Sequence, residues 1–430
     1  MLLLEHPRLA IGAGLALACT ILVAACGDGS GGAAPRVLIN FQAASLVLGQ
    51  PELTGSQPNR GGGPAASGLS GPLGLALTPE GGLLVADGEN NRVLLFSSMQ
   101  QGADASVVIG QPDFHSSAAA VTRTGLSTPM SVAVGAGRMA VAERHSNRVV
   151  VYDRIPKAGE PAPVPSVVIG QRDFESSAAG CGAFGLNQPW GVAITPDGKL
   201  IVADVGNSRV LVWNQIPVPG STAPAPSLVL GQSDVDHCQF ADDNQDGESE
   251  RDPGTTLITS RITGRIMSPM SVWSDGTRLV VADSDFERVL IWNAFPTANF
   301  QPADVVLGQP DFTTRFANGA STRGEMRAPT ARTFQAARYV HSDGTSLAVA
   351  DLGNNRVLIW STFPQAHYQP ADIVLGHAGF EQAATNDLDH DGDADAAGAQ
   401  VLGGPTAVLF TPSALFVSDG TFNRVLRFGQ

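Results

Sequence analysis

A short pattern of apolar and polar positions recurs along the chain, and one copy is VADVGNSRVLVW, from Val202 to Trp213. Two apolar runs flank a polar segment that contains glycine and asparagine. Such an arrangement predicts two short antiparallel strands joined by a tight turn. Relatives of this segment start at Val85, Val141, Val281, Val349 and Val417. A pattern that recurs across a chain predicts repeated copies of one structural unit.

One complete unit, residues 188–232, predicts four strands. We expect strand a over 191–195, strand b over 199–204, strand c over 209–213 and strand d over 228–230. A Pro-Asp-Gly hairpin signal separates strands a and b. Strands b and c carry apolar residues on both of their faces, so each small sheet requires a neighbour on either side. Equivalent sheets stacked around a common axis supply those neighbours.

The repeat resembles the one that builds the NHL family of β-propellers, and the resemblance covers residues 45–430. Six a–b–c triplets are present, and six strand d segments end in Gly-Gln or a variant of it. The resemblance implies an all-β fold, a six-bladed β-propeller of four-stranded antiparallel blades. The strand d segments end at Gln50, Gln111, Gln171, Gln232, Gln309 and His377.

The first and last strands of the repeat region predict how the ring closes. The repeats begin with a strand d, residues 46–48, and end with a strand c, residues 424–428. We therefore expect the N-terminal strand to join the C-terminal blade and complete it. Such closure removes an exposed strand edge that could pair with other chains.

In every unit an acid ends strand b, and an arginine five residues later starts strand c. We expect each pair to lock its hairpin across the turn, with glycine and asparagine in the positive-φ positions. A ring of ligand-binding charges is the alternative, but recurrence in all units favours a scaffold role. The pairs are Asp87 with Arg92, Glu143 with Arg148, Asp204 with Arg209, Asp283 with Arg288, Asp351 with Arg356, and Asp419 with Arg424.

The N-terminal residues are typical of an export signal, since Arg8 precedes an apolar run that ends at Ala25. The segment LVAAC, which ends at Cys26, resembles the lipobox of bacterial lipoproteins, in which the cysteine carries lipid. The resemblance implies a signal peptide over 1–25, a lipidated Cys26 with a flexible tether over 26–42, and a propeller over 43–430. An ordinary cleaved signal or a single membrane span is the alternative. The expected location is the bacterial cell envelope, with the outer membrane or cell surface favoured and a lipid anchor in the membrane.

Composition is typical of a globular chain of strands and turns, with 43% apolar and 15% charged residues, 49 glycines and 29 prolines. The formal net charge of −14 would repel a phosphate backbone, so nucleic acid is not an expected partner. Two cysteines follow Cys26, namely Cys181 and Cys238. They fall in neighbouring d-to-a connections of a chain expected to be exported, so we expect a disulfide between them.

Two long d-to-a connections are acidic and place oxygen-bearing side chains at alternate positions, followed by glycine. This spacing resembles the start of EF-hand-type calcium loops. We therefore expect calcium as a candidate cofactor that orders a loop. A solvated acidic loop is the alternative, because neither connection has the glutamate of the twelfth position. The candidate ligands are Asp242, Asn244 and Asp246 in the first loop, and Asp387, Asp389, Asp391, Asp393 and Asp395 in the second.

The position after the proline that precedes strand a is mostly large and apolar. If these side chains lie at the mouth of the central channel, they form a hydrophobic ring of the kind that marks a binding site. Packing between blades is the alternative. The residues are Leu73, Met130, Trp190 and Met270, with Thr330 and Thr406 completing the ring.

Four histidines, His115, His237, His377 and His390, fall in connections on one face but share no metal-binding spacing. We therefore expect a binding or interaction module for an unidentified protein or cell-envelope ligand. The alternative is a metal-dependent lyase or hydrolase with its site on the face that carries the long connections. That alternative requires histidines or carboxylates to converge near the channel axis.

Overall fold

The computed structural model describes residues 36–218, 224–239, 266–322, 324–389, 391 and 395–429. Within these ranges the chain forms strands and short 3₁₀ turns, and no helix is long and apolar enough to cross a membrane. Twenty-four strands form six four-stranded sheets, and all strand pairs are antiparallel. The expected six-bladed, all-β propeller is confirmed.

Each blade consists of strands a to d, in order from the channel outward. Strands a are β2 (Pro72–Leu77), β6 (Pro129–Gly135), β10 (Pro189–Ile194), β14 (Pro269–Ser274), β18 (Ala337–Ser342) and β22 (Pro405–Phe410). Strands b are β3 (Leu83–Asp87), β7 (Arg138–Glu143), β11 (Leu200–Asp204), β15 (Leu279–Asp283), β19 (Leu347–Asp351) and β23 (Leu415–Asp419). Strands c are β4 (Arg92–Phe96), β8 (Arg148–Tyr152), β12 (Arg209–Trp213), β16 (Arg288–Trp292), β20 (Arg356–Trp360) and β24 (Arg424–Phe428). Strands d are β5 (Val107–Ile109), β9 (Val167–Ile169), β13 (Leu228–Leu230), β17 (Val305–Leu307), β21 (Ile373–Leu375) and, for blade six, β1 (Leu46–Leu48).

The hydrophobic core lies between neighbouring blades. In β11, Leu200 and Val202 pack in the core shared with blade two, whereas Ile201 and Ala203 pack in the core shared with blade four. Each blade therefore buries both of its faces, as the apolar pattern predicts. Full burial of such a side chain contributes about 1.5–3 kcal/mol, so the stacking of blades is the main source of stability.

The six strands a surround the central channel, because each contacts the strand a of the next blade and β22 contacts β2. The backbones approach closely there. A β-carbon added at Gly191 would lie 2.9 Å from the carbonyl oxygen of Met270 in the neighbouring blade. Glycine at this position is therefore a packing requirement.

The ring closes through the N-terminal strand. Strand β1 pairs with β24, with Leu46 opposite Arg427 and Leu48 opposite Val425. The sixth blade is thus completed from both ends of the propeller, as expected.

The residues before β1 also repeat an element of the other blades. Residues 39–50 read INFQAASLVLGQ and residues 298–309 read ANFQPADVVLGQ. Asn40 and Asn299 each accept, through Oδ1, the N–H of a strand d residue in the preceding blade, at 2.9 Å from Val374 and 3.1 Å from Val229. The segment thus supplies the c-to-d connection of blade six as well as its strand d.

The acid of strand b and the arginine of strand c form an ion pair in every blade. In blade three, Asp204 lies directly opposite Arg209, with Oδ2 2.8 Å from Nε and neither side chain exposed. The six pairs have nitrogen–oxygen distances of 2.7 to 2.9 Å. The structure therefore places all six pairs across the b-to-c turn.

Each ion pair also holds the connections around it. Asp204 Oδ1 accepts the N–H of Asn187, which lies just before strand a. Arg209 donates to the carbonyls of Val235 and Gly185 in two d-to-a connections. Burial raises the pKa of Asp204, while the charge of Arg209 and the donated hydrogen bonds oppose that rise. A pair that is buried and bonded in this way serves the scaffold, because no ligand can reach it.

The b-to-c turn is a short 3₁₀ turn in five blades, and the residue with positive φ is the one before the arginine. The expectation that glycine shares the positive-φ positions is wrong. Gly88 lacks a side chain for a different reason, since a β-carbon there would lie 2.6 Å from Leu73. The φ angle is 48° to 52° at Asn91, Asn147, Ser208, Glu287, Asn355 and Asn423.

The asparagines at this position bridge neighbouring blades. Asn91 accepts the N–H of Thr128 through Oδ1 and donates through Nδ2 to the carbonyl of Ser117. The next blade therefore starts its strand a in a register set by the previous turn.

Blade four has Glu287 at this position, and its carboxyl group accepts the N–H of Ala336. Burial raises the pKa of Glu287 to about 8. The Ala336 hydrogen bond opposes this rise, and the carboxylates of Asp351, Asp285 and Asp283 add to it. Glu287 is therefore an ionisable residue at a position where four other blades have asparagine and one has serine.

The Gly-Gln ends of strand d hold the d-to-a connections. Gln171 donates through Nε2 to the carbonyls of Asn147 and Ala178. In blade five, His377 takes the place of glutamine, and its Nε2 lies 3.0 Å from the carbonyl oxygen of Asn354. His377 is fully buried, so its role is structural.

Candidate functional site

The b-to-c turns and the d-to-a connections lie on one face of the ring, called the loop face, because the ion pairs contact both. Strand a starts at this face and contains a β-bulge next to its first residue. In β14, Pro269 pairs with Asp283 and Ser271 pairs with Ala282, so Met270 has no partner on β15. A bulge re-aims the extra side chain. The bulged residue of each blade is thereby placed at the loop-face mouth of the channel.

Blade five departs from the ring that the sequence pattern predicts. Its strand a starts at Ala337, so the bulged residue is Arg338, and the prediction of Thr330 is wrong. The connection before blade five is longer than the proline pattern implies, and the carbonyl of Thr330 accepts a hydrogen bond from Arg356 within it. We call the bulged residues the mouth ring: Leu73, Met130, Trp190, Met270, Arg338 and Thr406.

The mouth ring is partly filled by its own side chains. Met130 is 4% exposed and Trp190 is 6% exposed. These two residues pack against their neighbours. The remaining members of the ring keep partial exposure and can be reached by a ligand from the loop face.

Arg338 reaches across the mouth from blade five to blade three. Its guanidinium carbon lies 4.3 Å from the centre of the Trp190 ring, and Nη1 lies 4.0 Å from the sulfur of Met270. The guanidinium carbon of Arg144, from blade two, lies 5.0 Å from the same ring centre. Arg144 donates through Nε and Nη2 to the side-chain oxygen of Gln188. Two guanidinium groups therefore share one indole.

Among the described residues, no carboxylate forms an ion pair with Arg338 or Arg144. Across the described residues, the polar contact of Arg338 is the Met270 sulfur, and its Nε is buried without a hydrogen-bond partner. Burial lowers the pKa of Arg338, the charge of Arg144 lowers it further, and the carboxylate of Asp285 opposes both. A half-buried cation without an oxygen acceptor is costly in free energy.

Polar side chains form the floor of the mouth. Tyr339 extends from blade five, and its hydroxyl lies 3.4 Å from Oγ of Ser131 in blade two. Burial raises the pKa of Tyr339, so the hydroxyl stays neutral at physiological pH. Sequence reasoning missed Tyr339 and Arg338, because the longer connection shifts the start of strand a.

Further along the strands a, the channel encloses a cavity of about 240 Å³ whose lining includes Trp273, His341 and Phe410. His341 Nδ1 accepts the N–H of Phe410 at 3.2 Å. Burial lowers the pKa of His341 to about 4, the charge of Asp343 opposes this change, and the charge of Arg36 adds to it. The histidine is therefore neutral at physiological pH.

Arg36 lies at this second end of the channel. Its guanidinium carbon is 4.0 Å from the centre of the Phe410 ring, and Nη1 donates to the carbonyl of Thr411 at 2.9 Å. Nη2 pairs with the carboxylate of Asp343. This contact joins the start of the described chain to blades five and six.

A cavity of about 1090 Å³ lies elsewhere, along β9 and the connection that follows it. Its lining includes Gln171 and Phe174, which belong to the repeated Gly-Gln and phenylalanine positions of the d-to-a connections. We assign it to the scaffold, because its position reflects the repeated outer edge of a blade.

Cys181 and Cys238 form the expected disulfide, with a Cα–Cα distance of 6.0 Å. The bond joins the connection before blade three to the connection before blade four. It thereby cross-links two neighbouring loops of the loop face.

The second acidic loop is only partly described. Carboxylate oxygens of Asp387, Asp389 and Asp395 lie within 4.8 Å of one another, whereas Asp391 is not part of this group. Asp395 accepts the N–H of Leu388 at 2.8 Å, which folds the loop back on itself. Calcium binding stays a prediction. The remaining candidates lie outside the described residues: Asp242, Asn244, Asp246 and Asp393.

The described histidines of the loop face are not brought together around a metal site. His115 is exposed, His237 lies 2.7 Å from the carboxylate of Asp234, and His377 is a buried structural residue. His390 and Cys26 lie outside the described residues.

Comparison with known proteins identifies the repeat. A family model described as the NHL repeat matches residues 69–96 and 186–213. These segments contain strands a, b and c of blades one and three. No curated protein matches the chain. The repeat matches and the six blades together support the class of NHL-repeat β-propellers.

Solved structures with a similar fold include the PQQ-bound aldose sugar dehydrogenase of Streptomyces coelicolor, at 16% identity over 85% of this chain and 95% of that chain, with a TM-score of 0.43. Virginiamycin B lyase from Staphylococcus aureus is 10% identical over 85% of this chain and 97% of that chain, with a TM-score of 0.40. A structural genomics protein of unknown function from Bacteroides thetaiotaomicron is 12% identical over 90% of this chain and 76% of that chain, with a TM-score of 0.48. None of these likenesses identifies a ligand for this chain.

Proposed function

We propose that this protein is an exported binding module that captures a ligand at the mouth ring of its loop face. The observation that carries the proposal is a contrast between positions of the repeat. The strand b acid and the strand c arginine keep their chemistry in all six blades, whereas the bulged position holds leucine, methionine, tryptophan, arginine and threonine. Repeated positions serve the fold, and a site is added where the repeats diverge.

The chemistry of the mouth ring suits ligand capture. Leu73 and Met270 supply partly exposed apolar surface, and the buried Trp190 ring lies behind the partly exposed Arg338. Methionine adapts its shape to a bound molecule, because its side chain is unbranched and flexible. A concave mouth with apolar walls and a few polar groups is the usual form of a small-molecule site.

A neutral aromatic probe tests the location of the site. We expect indole to bind the chain saturably in saturation-transfer NMR. Met270→Gln, which places a polar amide in the mouth ring, should weaken indole binding by about tenfold. Met326→Gln is the matched control, since Met326 is 96% exposed and lies outside the ring. It should leave indole binding unchanged.

Two results would count against the mouth ring. Equal indole binding by the wild type and Met270→Gln would remove the ring as the site. Loss of binding in Trp273→Leu, with binding kept in Met270→Gln, would instead move the site to the 240 Å³ cavity.

The role of metal separates the binding module from the alternative of a metal-dependent lyase or hydrolase. We propose that calcium orders the loop that contains Asp387, Asp389 and Asp395, whose carboxylates are grouped. Elemental mass spectrometry after dialysis against metal-free buffer measures the bound metal. Retained calcium that is lost in Asp389→Asn would support this role. Stoichiometric zinc would favour the enzyme.

We further propose that lipid on Cys26 anchors the protein to a bacterial membrane, on the strength of the LVAAC segment. Cys26→Ser should release the protein into the soluble envelope fraction, and Cys181→Ser should not. Continued membrane association of Cys26→Ser would refute the anchor.

A further inference from the structure

We infer that the mouth ring binds an anionic group, a carboxylate or a phosphate, on an apolar body, and that Arg338 is the residue that binds the anion. This inference rests on the proposed function, because it names the ligand class of the same site. It starts from the environment of Arg338, whose guanidinium contacts an aromatic ring and a thioether but no oxygen acceptor among the described residues.

Other arginines over aromatic rings show what this environment lacks. Arg278 lies 4.1 Å from the Phe363 ring centre and pairs with Asp275 at 2.6 Å. Arg36 lies over Phe410 and pairs with Asp343. In both cases the aromatic contact accompanies a carboxylate. At Arg338 the aromatic contact is present and the charge of Asp285 acts on the guanidinium, but no described carboxylate pairs with it.

A bound anion supplies the missing acceptor. The guanidinium presents its N–H donors in a planar fork that matches the oxygens of a carboxylate or phosphate. Such bonds are stronger in a partly buried mouth than in water, because the local dielectric constant is lower. The ligand therefore gains most of its anion recognition at this one residue.

Arg144 adds a second positive charge at the same place. Its charge acts on Arg338, and both guanidinium groups lie over Trp190. An anion near both groups offsets their mutual repulsion. The chain as a whole carries a net charge of −14, so this local charge and not the overall field must attract the anion.

The apolar part of the ligand follows from the walls. Met270 and Leu73 are partly exposed, whereas Trp190 is 6% exposed beneath the two guanidinium groups. An apolar body contacts the exposed parts of Met270 and Leu73 while its anionic group meets Arg338. A small hydrated anion alone would leave this apolar surface uncovered.

Three probes that share a phenyl ring separate recognition of the anion from contact with the apolar body. Benzoate and phenyl phosphate carry the two kinds of anion, and benzamide is the neutral counterpart. Titration calorimetry at constant ionic strength should show that benzoate or phenyl phosphate binds at least about tenfold more tightly than benzamide. The tighter of the two anions identifies the carboxylate or the phosphate as the preferred group.

Arg338→Gln should bring all three affinities to within about twofold of the benzamide value. Arg338→Lys should keep part of the preference, because it keeps the charge but loses the fork. Arg332→Gln is the matched control, since Arg332 is exposed and lies 5.5 Å from the Tyr368 ring centre outside the mouth ring. It should bind the anions as the wild type does.

Melting temperature gives a second measurement. Benzoate should raise the melting temperature of the wild type and leave that of Arg338→Gln unchanged. Arg338→Gln alone should not melt earlier than the wild type, and a clear loss of stability would mean that Arg338 is a structural residue, which would overturn the inference.

The outcomes separate the two proposals. If benzoate and benzamide bind equally and Met270→Gln weakens both, the binding site stands and the anion inference fails. If Arg338→Gln keeps the anion preference, the inference also fails. If no probe binds and indole does not bind either, both proposals fail.

Discussion

The two ends of the central channel each carry an arginine over an aromatic ring, but the two arginines differ in their acceptors. Arg36 lies 4.0 Å from the Phe410 ring centre, pairs with Asp343 and donates to the carbonyl of Thr411. Arg338 lies 4.3 Å from the Trp190 ring centre and meets no oxygen acceptor among the described residues. The first arrangement stabilises the fold. The second leaves guanidinium N–H donors without an oxygen acceptor, so they are available to a ligand.

The ion pairs of the blades extend this comparison. Each strand c arginine contacts a carboxylate and carries no exposed charge, apart from slight exposure of Arg288. The repeated arginines thus each have a carboxylate partner, whereas Arg338 at the mouth has no oxygen acceptor among the described residues. Four changes test this division between scaffold and site, beginning with the largest expected effect.

Asp204→Ala leaves Arg209 buried without its carboxylate. We expect the free energy of unfolding to fall by about 3–5 kcal/mol, because an uncompensated buried charge is costly. Denaturation in guanidinium chloride measures the change. Asp197→Ala in the same blade is the control, since Asp197 is 52% exposed and its ion pair with Lys199 should contribute at most about 1 kcal/mol. Equal losses in the two variants would contradict the scaffold role.

Removal of the disulfide unlinks two connections of the loop face and frees the unfolded chain. Cys181 and Cys238 are 57 residues apart, so the double serine variant should lose about 2–4 kcal/mol through the freedom gained by the unfolded chain. Reduction of the wild type should reproduce this loss in a thermal melt. A variant as stable as the oxidised wild type would show that the bond does not constrain the chain.

Glu287 on the loop face and His341 in the channel should respond to pH with opposite sign. The pKa of Glu287 is raised to about 8 in the folded state, so its contribution to stability is lost as pH rises from about 4.5 to about 8. The pKa of His341 is lowered to about 4, so its contribution is present above pH 6.5 and is lost as pH falls towards 4. Each group changes the free energy of unfolding by at most about 1.4 kcal/mol per pH unit.

Single variants separate these two contributions. Glu287→Asn, the residue of four other blades, should remove the loss at higher pH, and His341→Gln should remove the loss at lower pH. Urea denaturation at pH 4.5, 6 and 8 measures both effects. Parallel stability profiles for the wild type and Glu287→Asn would disprove the role of Glu287.

The smallest effects concern the two arginines of the opening comparison. Arg36→Leu should lower the free energy of unfolding by about 1 kcal/mol, because it removes an ion pair and a cation–π contact near the surface. Arg338→Leu should leave stability unchanged or raise it slightly. Chemical denaturation of both variants under one set of conditions gives the comparison. A larger loss for Arg338→Leu would reverse the assignment of scaffold and site.

Much of the fold could be predicted from local pattern. Strand c over 209–213 and strand d over 228–230 have the same bounds in the structure as in the prediction. The alternation of apolar residues sets which side chains face each neighbouring blade. The repeats start with a lone strand d and end with a strand c, which implies that the two ends complete one blade. These features depend on residues close in sequence or on exact repetition, which a sequence displays directly.

The candidate site could be predicted only in part. The mouth position of Met270 and Trp190 follows from the repeat. In blade five the repeat pattern wrongly assigned this position to Thr330 instead of Arg338, because a longer connection displaces strand a. The positive φ before each arginine, rather than at glycine, likewise depends on the shape of the whole turn.

By itself, the sequence determined the number of blades, the paired acids and arginines, and the cysteines that could join two loops. Only the tertiary structure decided that Arg338 lies over Trp190 beside Arg144, since these residues come from blades five, three and two. Their chemistry depends on which charges lack an acceptor once the ring has closed. That property belongs to residues far apart in the chain, and no local pattern encodes it.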